Sequence, residues 1–327
     1  MKIAVLGAGA WGTALAISLA AQHEVYLWTR SPAQLGDMLK DRRNRRYLPD
    51  FNFPETMRIA LKLEDALDQT DLALAVVPTA GLRQVAQKLA ELGANAPLLW
   101  ACKGFEAGAA RLPHQVVAEE LGGNLRSGVL SGPSFALEVA KGLPTALTLA
   151  SHDENFAHAM ALQLHSPRLR VYSSTDVVGV EIGAAVKNVM AIAAGISDGM
   201  GYGYNARAAL ITRGLAEISR LGAAMGGRPE TFMGLAGAGD LILTCTGDLS
   251  RNRTVGLRLA RGQKLETILA ELGHVAEGVH TAGEVLRLSE SMNVDMPITR
   301  AVCQVLFEGV PPGRAVEELL NREPKAE

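Results

Sequence analysis

Residues 2–21, KIAVLGAGAWGTALAISLAA, restrict the fold more than any other stretch of the chain. KIAVL is a short β-prone run, Gly7, Gly9 and Gly12 follow in G-x-G-x-x-G spacing, and TALAISLAA has helix-forming composition. In such a strand–turn–helix the first glycine permits the tight turn and the second lets backbone approach a pyrophosphate. The third allows helix and strand to pack closely, with the helix N-terminus facing the phosphates. With 34 glycines in the chain the motif carries little weight alone, and its context supplies the rest. HEVYLW reads as a second strand, and the alternation continues through LALAVVP, PLLWACK and SGVLSGP, separated by helical segments such as GLRQVAQKLAEL. Alternating strands and helices imply a parallel sheet.

The same N-terminus has the lysine, apolar run and small residues of a secretory signal. Its three glycines interrupt the apolar run where a signal needs continuous hydrophobic helix, so a mature sequence is expected. No other uncharged run approaches membrane-spanning length.

Beyond about residue 175, β-rich runs give way to helix-compatible segments: ALITRGLAEISRLGAAMG, RNRTVGLRLARG, LETILAELG, TAGEVLRLSESM and PITRAVCQVLFEG. The expected fold class is α/β, with an N-terminal Rossmann-type, mostly parallel sheet and a C-terminal all-helical domain. The expected domains are 1–175, binding a dinucleotide, and 176–327, helical, binding substrate and carrying the catalysis.

At 327 residues and 48% apolar content the chain can bury a core for two domains. A formal net charge of −2 offers no footprint for nucleic acid or an anionic membrane, so a small-molecule or protein partner is expected. Cys102, Cys245 and Cys303 lie far apart, and with seven scattered histidines they give no metal-ligand spacing. No metal is expected, and the thiol usage fits the cytosol.

The end of the second strand sets cofactor choice, because an acid there holds the ribose 2′-hydroxyl of NAD. This chain has Arg30-Ser31, which suits a 2′-phosphate and favours NADP(H), with NAD(H) also possible. Arg42–Arg46, RRNRR, is a short basic cluster in a near-neutral chain and reads as a solvated loop. Ligands of a parallel sheet collect beyond the carboxyl ends of its strands. Lys103 in LLWACKGFE, and Ser131, Gly132 and Ser134 in VLSGPSFA, sit at two such ends.

In the second half, GLAGAGDLILTCTGDLSRN joins a glycine-rich turn, Asp240 and a Ser250-Arg251-Asn252 helix start. Ser250 as N-cap, free backbone amides and a bidentate Arg251 together describe an anion site. Gly237 to Gly239 does not follow a strand and forms no second dinucleotide site. In EIGAAVKNVMAIAAGIS, Lys187 is the only charge between Glu181 and Asp198. Its three- and four-residue neighbours are Gly183, Ala184, Met190 and Ala191, so either it snorkels to the surface or its partner comes from elsewhere.

Taken together, GAGAWGTALA, RRYLP, CKGFE, LSGPSFALEVAKGLPTA, GVEIGAAVKNVMAIAAGISDGMGYGYNARAALITRGLAE, GLAGAGDLILTCTGDLSRNRTVG and VAEGVHTA resemble, along nearly the whole chain, the bacterial-type NAD(P)-dependent sn-glycerol-3-phosphate dehydrogenases. The resemblance implies reversible reduction of dihydroxyacetone phosphate to sn-glycerol 3-phosphate for glycerophospholipid synthesis, with Lys187 moving the proton. Lys103 and Asp240 join Lys187 as catalytic residues. Substrate contacts fall on Lys103, Gly132, Ser134, Lys187, Asp240, Ser250, Arg251 and Asn252. Cofactor contacts fall on Gly7, Gly9, Trp11, Gly12, Arg30, Lys103, Ala136, Arg251, Val275 and Glu277. Asn188 and Thr244 match site positions too, and Thr79 stands where the family commonly has serine. A related 3-hydroxyacid-type dehydrogenase, or a non-catalytic nicotinamide-binding redox sensor, is the alternative. The sensor needs the glycine loop but not Lys187, Asp240 and Arg251 together. A homodimer without stable membrane insertion is expected from the frequency of two-fold assemblies.

Overall fold

The computed structural model describes residues 1–272 and 276–323; Val275 lies outside them. The chain forms two compact units, Met1–Glu106 with Arg111–Val177, and Ala107–Ala110 with Val178–Glu327.

The first unit opens with β1 (Lys2–Leu6), α1 (Ala10–Leu19), β2 (Glu24–Trp28) and α2 (Pro32–Asp41). A small hairpin, β3 (Arg43–Asn44) and β4 (Leu48–Asn52), precedes β5 (Met57–Ile59) and α3 (Leu63–Leu67). Then come β6 (Leu72–Ala75), α4 (Thr79–Glu91), β7 (Leu98–Trp100) and α5 (Pro113–Leu121). The unit closes with β8 (Ser127–Ser131), α6 (Ala136–Ala140), β9 (Thr145–Ala150), α7 (Glu154–Leu164) and β10 (Leu169–Ser174). Its main sheet has eight strands in the order β10-β9-β8-β7-β6-β1-β2-β5, all neighbours parallel except the antiparallel β8–β9 pair. The inner strands are continuous apolar runs buried on both faces, as in Leu72–Ala75 and Leu98–Trp100. Strand order reverses between β1 and β6, so the loops after these strands flank the crevice where open α/β sheets bind ligands.

Strands β5, β9 and β10 and the hairpin escape the sequence reading. Three residues of β5 show no period, and β10 alternates buried and exposed positions as an edge strand does. The basic run is also more than a solvated loop. Arg42 is left-handed (φ 49°), ends α2 and donates to the Pro54 and Met57 carbonyls, while Asn44 is 1% exposed.

The second unit contains α8 (Val177–Gly199), α9 (Gly203–Ala224), α10 (Pro229–Met233), a π-helical turn (Leu235–Gly239) and α11 (Asp240–Thr246). After these come α12 (Arg251–Ala260), α13 (Leu265–Leu272), α14 (Glu277–Ser291), α15 (Pro297–Phe307) and α16 (Pro312–Leu320). Helix α8 is long and apolar enough to cross a membrane by length and composition, yet 94% of that window is buried. It is the core helix of this unit, apolar all round because other protein surrounds it. Small residues let backbones touch it: a Cβ on Gly195 would stand 2.0 Å from the Arg253 carbonyl oxygen, and one on Gly183 would stand 2.6 Å from that of Ala236. The expected glycine-rich turn before Asp240 is helical instead. Gly237 packs its backbone on Phe232, where a Cβ would lie 2.1 Å from the carbonyl oxygen, and the widened π turn accommodates that approach.

Glu217 on α9 is 1% exposed and caps α15, accepting from Ile298 N at 2.6 Å, Thr299 N at 3.2 Å and Thr299 Oγ1 at 3.0 Å. Burial pushes its carboxyl up to about 7, against the pull of these donors and Arg220. The folded protein therefore holds this proton where the unfolded chain has lost it. The stability it contributes is complete below about pH 4.5 and declines as pH rises through about 7. Between these limits the wild-type melting temperature should fall relative to Glu217→Gln, the full difference corresponding to about 3 kcal/mol. Parallel pH profiles for the two proteins would contradict this.

Candidate active site

At the carboxyl edge of the sheet, the glycine loop is shaped by contacts that exclude side chains. Gly7 has φ +121°, and a Cβ there would lie 2.3 Å from the Val76 carbonyl oxygen at the end of β6. On Gly12 it would lie 1.9 Å from the oxygen of Gly7, whereas Gly9 has nothing within 4 Å of that position. Two glycines thus close the turn, and the third leaves open space that any other side chain would fill. That is the fit a pyrophosphate requires at the start of α1.

Trp11 and Ala136 pack on one small cluster with Leu48, and the Trp11 Nε1 is buried with no hydrogen-bond partner among the described residues. Arg30 is exposed and donates to Gln84 Oε1 at 3.3 Å. Ser31 caps α2, its Oγ accepting from Gln34 N at 3.3 Å. Lys103 Nζ and Ser134 Oγ both donate to the Gly132 carbonyl, at 3.0 and 2.9 Å. Gly132 has φ +137°, and its Cβ would press on strand β9 at 3.1 Å from the Ala146 oxygen, so only glycine forms this turn without strain. Arg83 on α4 grips Glu106 with two hydrogen bonds of 2.6 and 2.8 Å, holding the loop that carries Lys103. This contact keeps the Glu106 carboxyl below the usual range.

In the helical unit Lys187 does not snorkel: its side chain is 7% exposed and that of Asp240 is 2% exposed. Lys187 Nζ donates to Asp240 Oδ1 and to Thr244 Oγ1, each at 2.8 Å. Asp240 and Thr244 share one face of α11 because they are four residues apart, and Thr244 Oγ1 donates back to the Asp240 carbonyl at 2.6 Å. A lysine with no carboxylate three or four residues away on its own helix is thus paired from 53 residues away.

Beside it, Asn252 Nδ2 donates to Asn188 Oδ1 at 2.9 Å, and Asn252 Oδ1 accepts from Gly278 N at 3.0 Å. These amides tie α8, α12 and the start of α14, where Glu277 stands. A side chain on Gly278 would strike the Asn188 carbonyl oxygen at 2.6 Å. Ser250 caps α12, its Oγ accepting from Arg253 N at 3.2 Å, and leaves Arg251 exposed at the first helical position. Arg253 turns away, donating from Nε and Nη2 to Asp198 Oδ2 at 2.9 and 2.8 Å, with Arg207 on the same oxygen at 3.0 Å. This long-range pair leaves no mark in the sequence. No His, Cys, Asp or Glu group suited to a metal occurs among the described residues.

A switch-point glycine loop and a helical unit burying a lysine–carboxylate pair define a nicotinamide-nucleotide-dependent oxidoreductase. Residues 2–157 match the N-terminal model, and 176–317 the C-terminal model, of NAD-dependent glycerol-3-phosphate dehydrogenase. The chain belongs to this NAD(P)-dependent family. A glycerol-3-phosphate dehydrogenase of the NAD(P)+ type from Nitrosospira multiformis is 64% identical over 331 residues, spanning 100% of this chain and 99% of the relative. Its counterpart in Aromatoleum aromaticum is 58% identical over 328 residues and 100% of both chains. The crystal structure of the Coxiella burnetii glycerol-3-phosphate dehydrogenase superposes with a TM-score of 0.94 at 44% identity, covering 98% of each chain.

Proposed function

We propose that the chain reduces dihydroxyacetone phosphate reversibly to sn-glycerol 3-phosphate, with Lys187 as the group that gives and takes the proton. The observation that carries this reading is the buried Lys187–Asp240–Thr244 cluster. A bound nicotinamide would supply or accept the hydride. As negative charge builds on the carbonyl oxygen, the Lys187 ammonium stabilises it and delivers the proton. Asp240 Oδ1 and Thr244 Oγ1, each accepting from Lys187 Nζ at 2.8 Å, fix where that nitrogen points. Lys103, Gly132, Ser134, Ser250, Arg251 and Asn252 are assigned to substrate. Arg251 and the start of α12 take the phosphate, so that binding energy remote from the carbonyl orients the reacting carbon.

Gly7, Gly9, Gly12, Trp11, Arg30, Lys103, Ala136, Arg251 and Glu277 are assigned to the nucleotide. Val275 is assigned with them, though it lies outside the described residues. The exposed Arg30 and the absence of an acid at the end of β2 support NADP(H) over NAD(H); kcat/KM for NADPH against NADH reads this directly. A cytoplasmic homodimer serving glycerophospholipid synthesis completes the reading. Its three buried cysteines suit a reducing compartment, and light scattering measures the assembly.

The test is NADPH oxidation with dihydroxyacetone phosphate and with dihydroxyacetone as the control. Turnover should require the phosphate. Arg251→Ala should raise KM for the phosphorylated substrate roughly 10- to 100-fold, as loss of a charge-assisted contact does. Unchanged saturation by dihydroxyacetone phosphate would remove Arg251 from the phosphate site.

A further inference from the structure

The basic run RRNRR has a role in the fold that the reaction does not use. Within it, Asn44 is 1% exposed, and its Nδ2 donates to the Ala8 carbonyl at 2.9 Å and to Thr13 Oγ1 at 2.8 Å. A second amide reaches the same carbonyl: Gln34 Nε2 donates to Ala8 O at 2.6 Å. Thr29 Oγ1 donates to Gln34 Oε1 at 2.9 Å, which orients that amide with its NH2 toward Ala8. Both grips come from outside the strand–turn–helix, one from the hairpin and one from α2. Ala8 lies between the first two glycines of the loop.

The peptide joining Ala8 to Gly9 is trans. Its C=O and N–H therefore point in opposite directions across one rigid plane. Pinning the Ala8 oxygen from two sides fixes where the Gly9 N–H points, at the glycine with open space around its Cβ position. Without the grip this peptide is free to turn about the flexible glycine and present its oxygen, which repels phosphate, in place of its N–H. The Asn44 Oδ1 is buried without a hydrogen-bond partner among the described residues, so the donor half of the amide makes its polar contacts. Arg42 holds the hairpin in place through the Pro54 and Met57 carbonyls.

We propose that Asn44 and Gln34 are positioning residues for dinucleotide binding, holding the Ala8–Gly9 peptide so that its N–H faces the pyrophosphate. This rests on the assignment of the glycine loop to NAD(P). The experiment titrates the full-length protein with NADH and NADPH by nicotinamide fluorescence, with AMP as a probe lacking the pyrophosphate. Asn44→Asp replaces the donor with an acceptor facing a carbonyl, and should raise Kd for both dinucleotides about tenfold. Gln34→Ala, at a half-buried surface position, should raise it about threefold. AMP affinity and KM for dihydroxyacetone phosphate should move less than twofold. Unchanged dinucleotide Kd in both variants, or AMP weakened to the same degree, would overturn the proposal. If Asn44→Asp does not fold, the Gln34→Ala titration decides. Wild-type protein that binds neither dinucleotide would fail the cofactor assignment itself, and the proposal with it.

Discussion

Lys187→Met should lower kcat by at least about 10³-fold while leaving nucleotide binding nearly unchanged. General acid catalysis alone supplies about 10² to 10⁴, and charge stabilisation at a developing oxyanion adds to that. Methionine keeps the length of the side chain but supplies neither proton nor charge. The substitution also takes the ammonium away from Asp240, whose side chain is 2% exposed. Removing one partner of a buried pair costs about 3–5 kcal/mol, so the single variant should melt at a lower temperature. Adding Asp240→Asn removes the carboxylate charge as well and should recover much of the melting temperature without recovering turnover. Melting curves and single-turnover rates separate the two effects. Restored rates in the double variant would place the proton elsewhere, and undiminished rates in the single variant would sink the assignment outright.

A second large effect on stability is expected at Gly256. A Cβ there would stand 2.0 Å from the Ile192 carbonyl oxygen, 2.7 Å from Ile196 N and 2.9 Å from Gly195 Cα. All three are backbone atoms of α8, so no rotamer change relieves the clash and the two helices must separate. Gly256→Ala should therefore cost about 3 kcal/mol or more, the upper range for overpacking. Its effect reaches the site, because α12 carries Ser250, Arg251 and Asn252, and Asn252 is bonded to Asn188 beside Lys187. KM for dihydroxyacetone phosphate should rise in whatever fraction still folds. Gly283→Ala on α14 is the matched control: its Cβ would meet only Phe307 at 3.8 Å, and replacing a helical glycine should be neutral or stabilising by up to about 1 kcal/mol. Equal melting temperatures for the two variants would refute the close-crossing argument.

The sequence by itself determined the features set by near neighbours along the chain. The strand–glycine–helix of residues 2–19 follows from backbone sterics within a few residues, and so does the Ser250 cap, whose hydroxyl bonds three residues ahead. Apolar runs alternating with helical segments sufficed for the five contiguous parallel strands β2, β1, β6, β7 and β8, since a strand buried on both faces is marked in its own composition. The tertiary structure alone decided which distant groups meet. Nothing near Lys187 in the sequence indicates whether its ammonium reaches water or a carboxylate; α11 brings Asp240 and Thr244 to it only because Gly183 lets the π-helical turn approach α8. The run RRNRR misleads for the same reason. Four arginines read as solvent-facing charge, while the residue between them is buried against the glycine loop 36 positions earlier. Local conformation is governed by short-range sterics and hydrogen bonds that a sequence spells out in order. The pairing of a buried charge or amide depends on packing between segments far apart in the chain, where a missing side chain on one helix determines what another helix can touch.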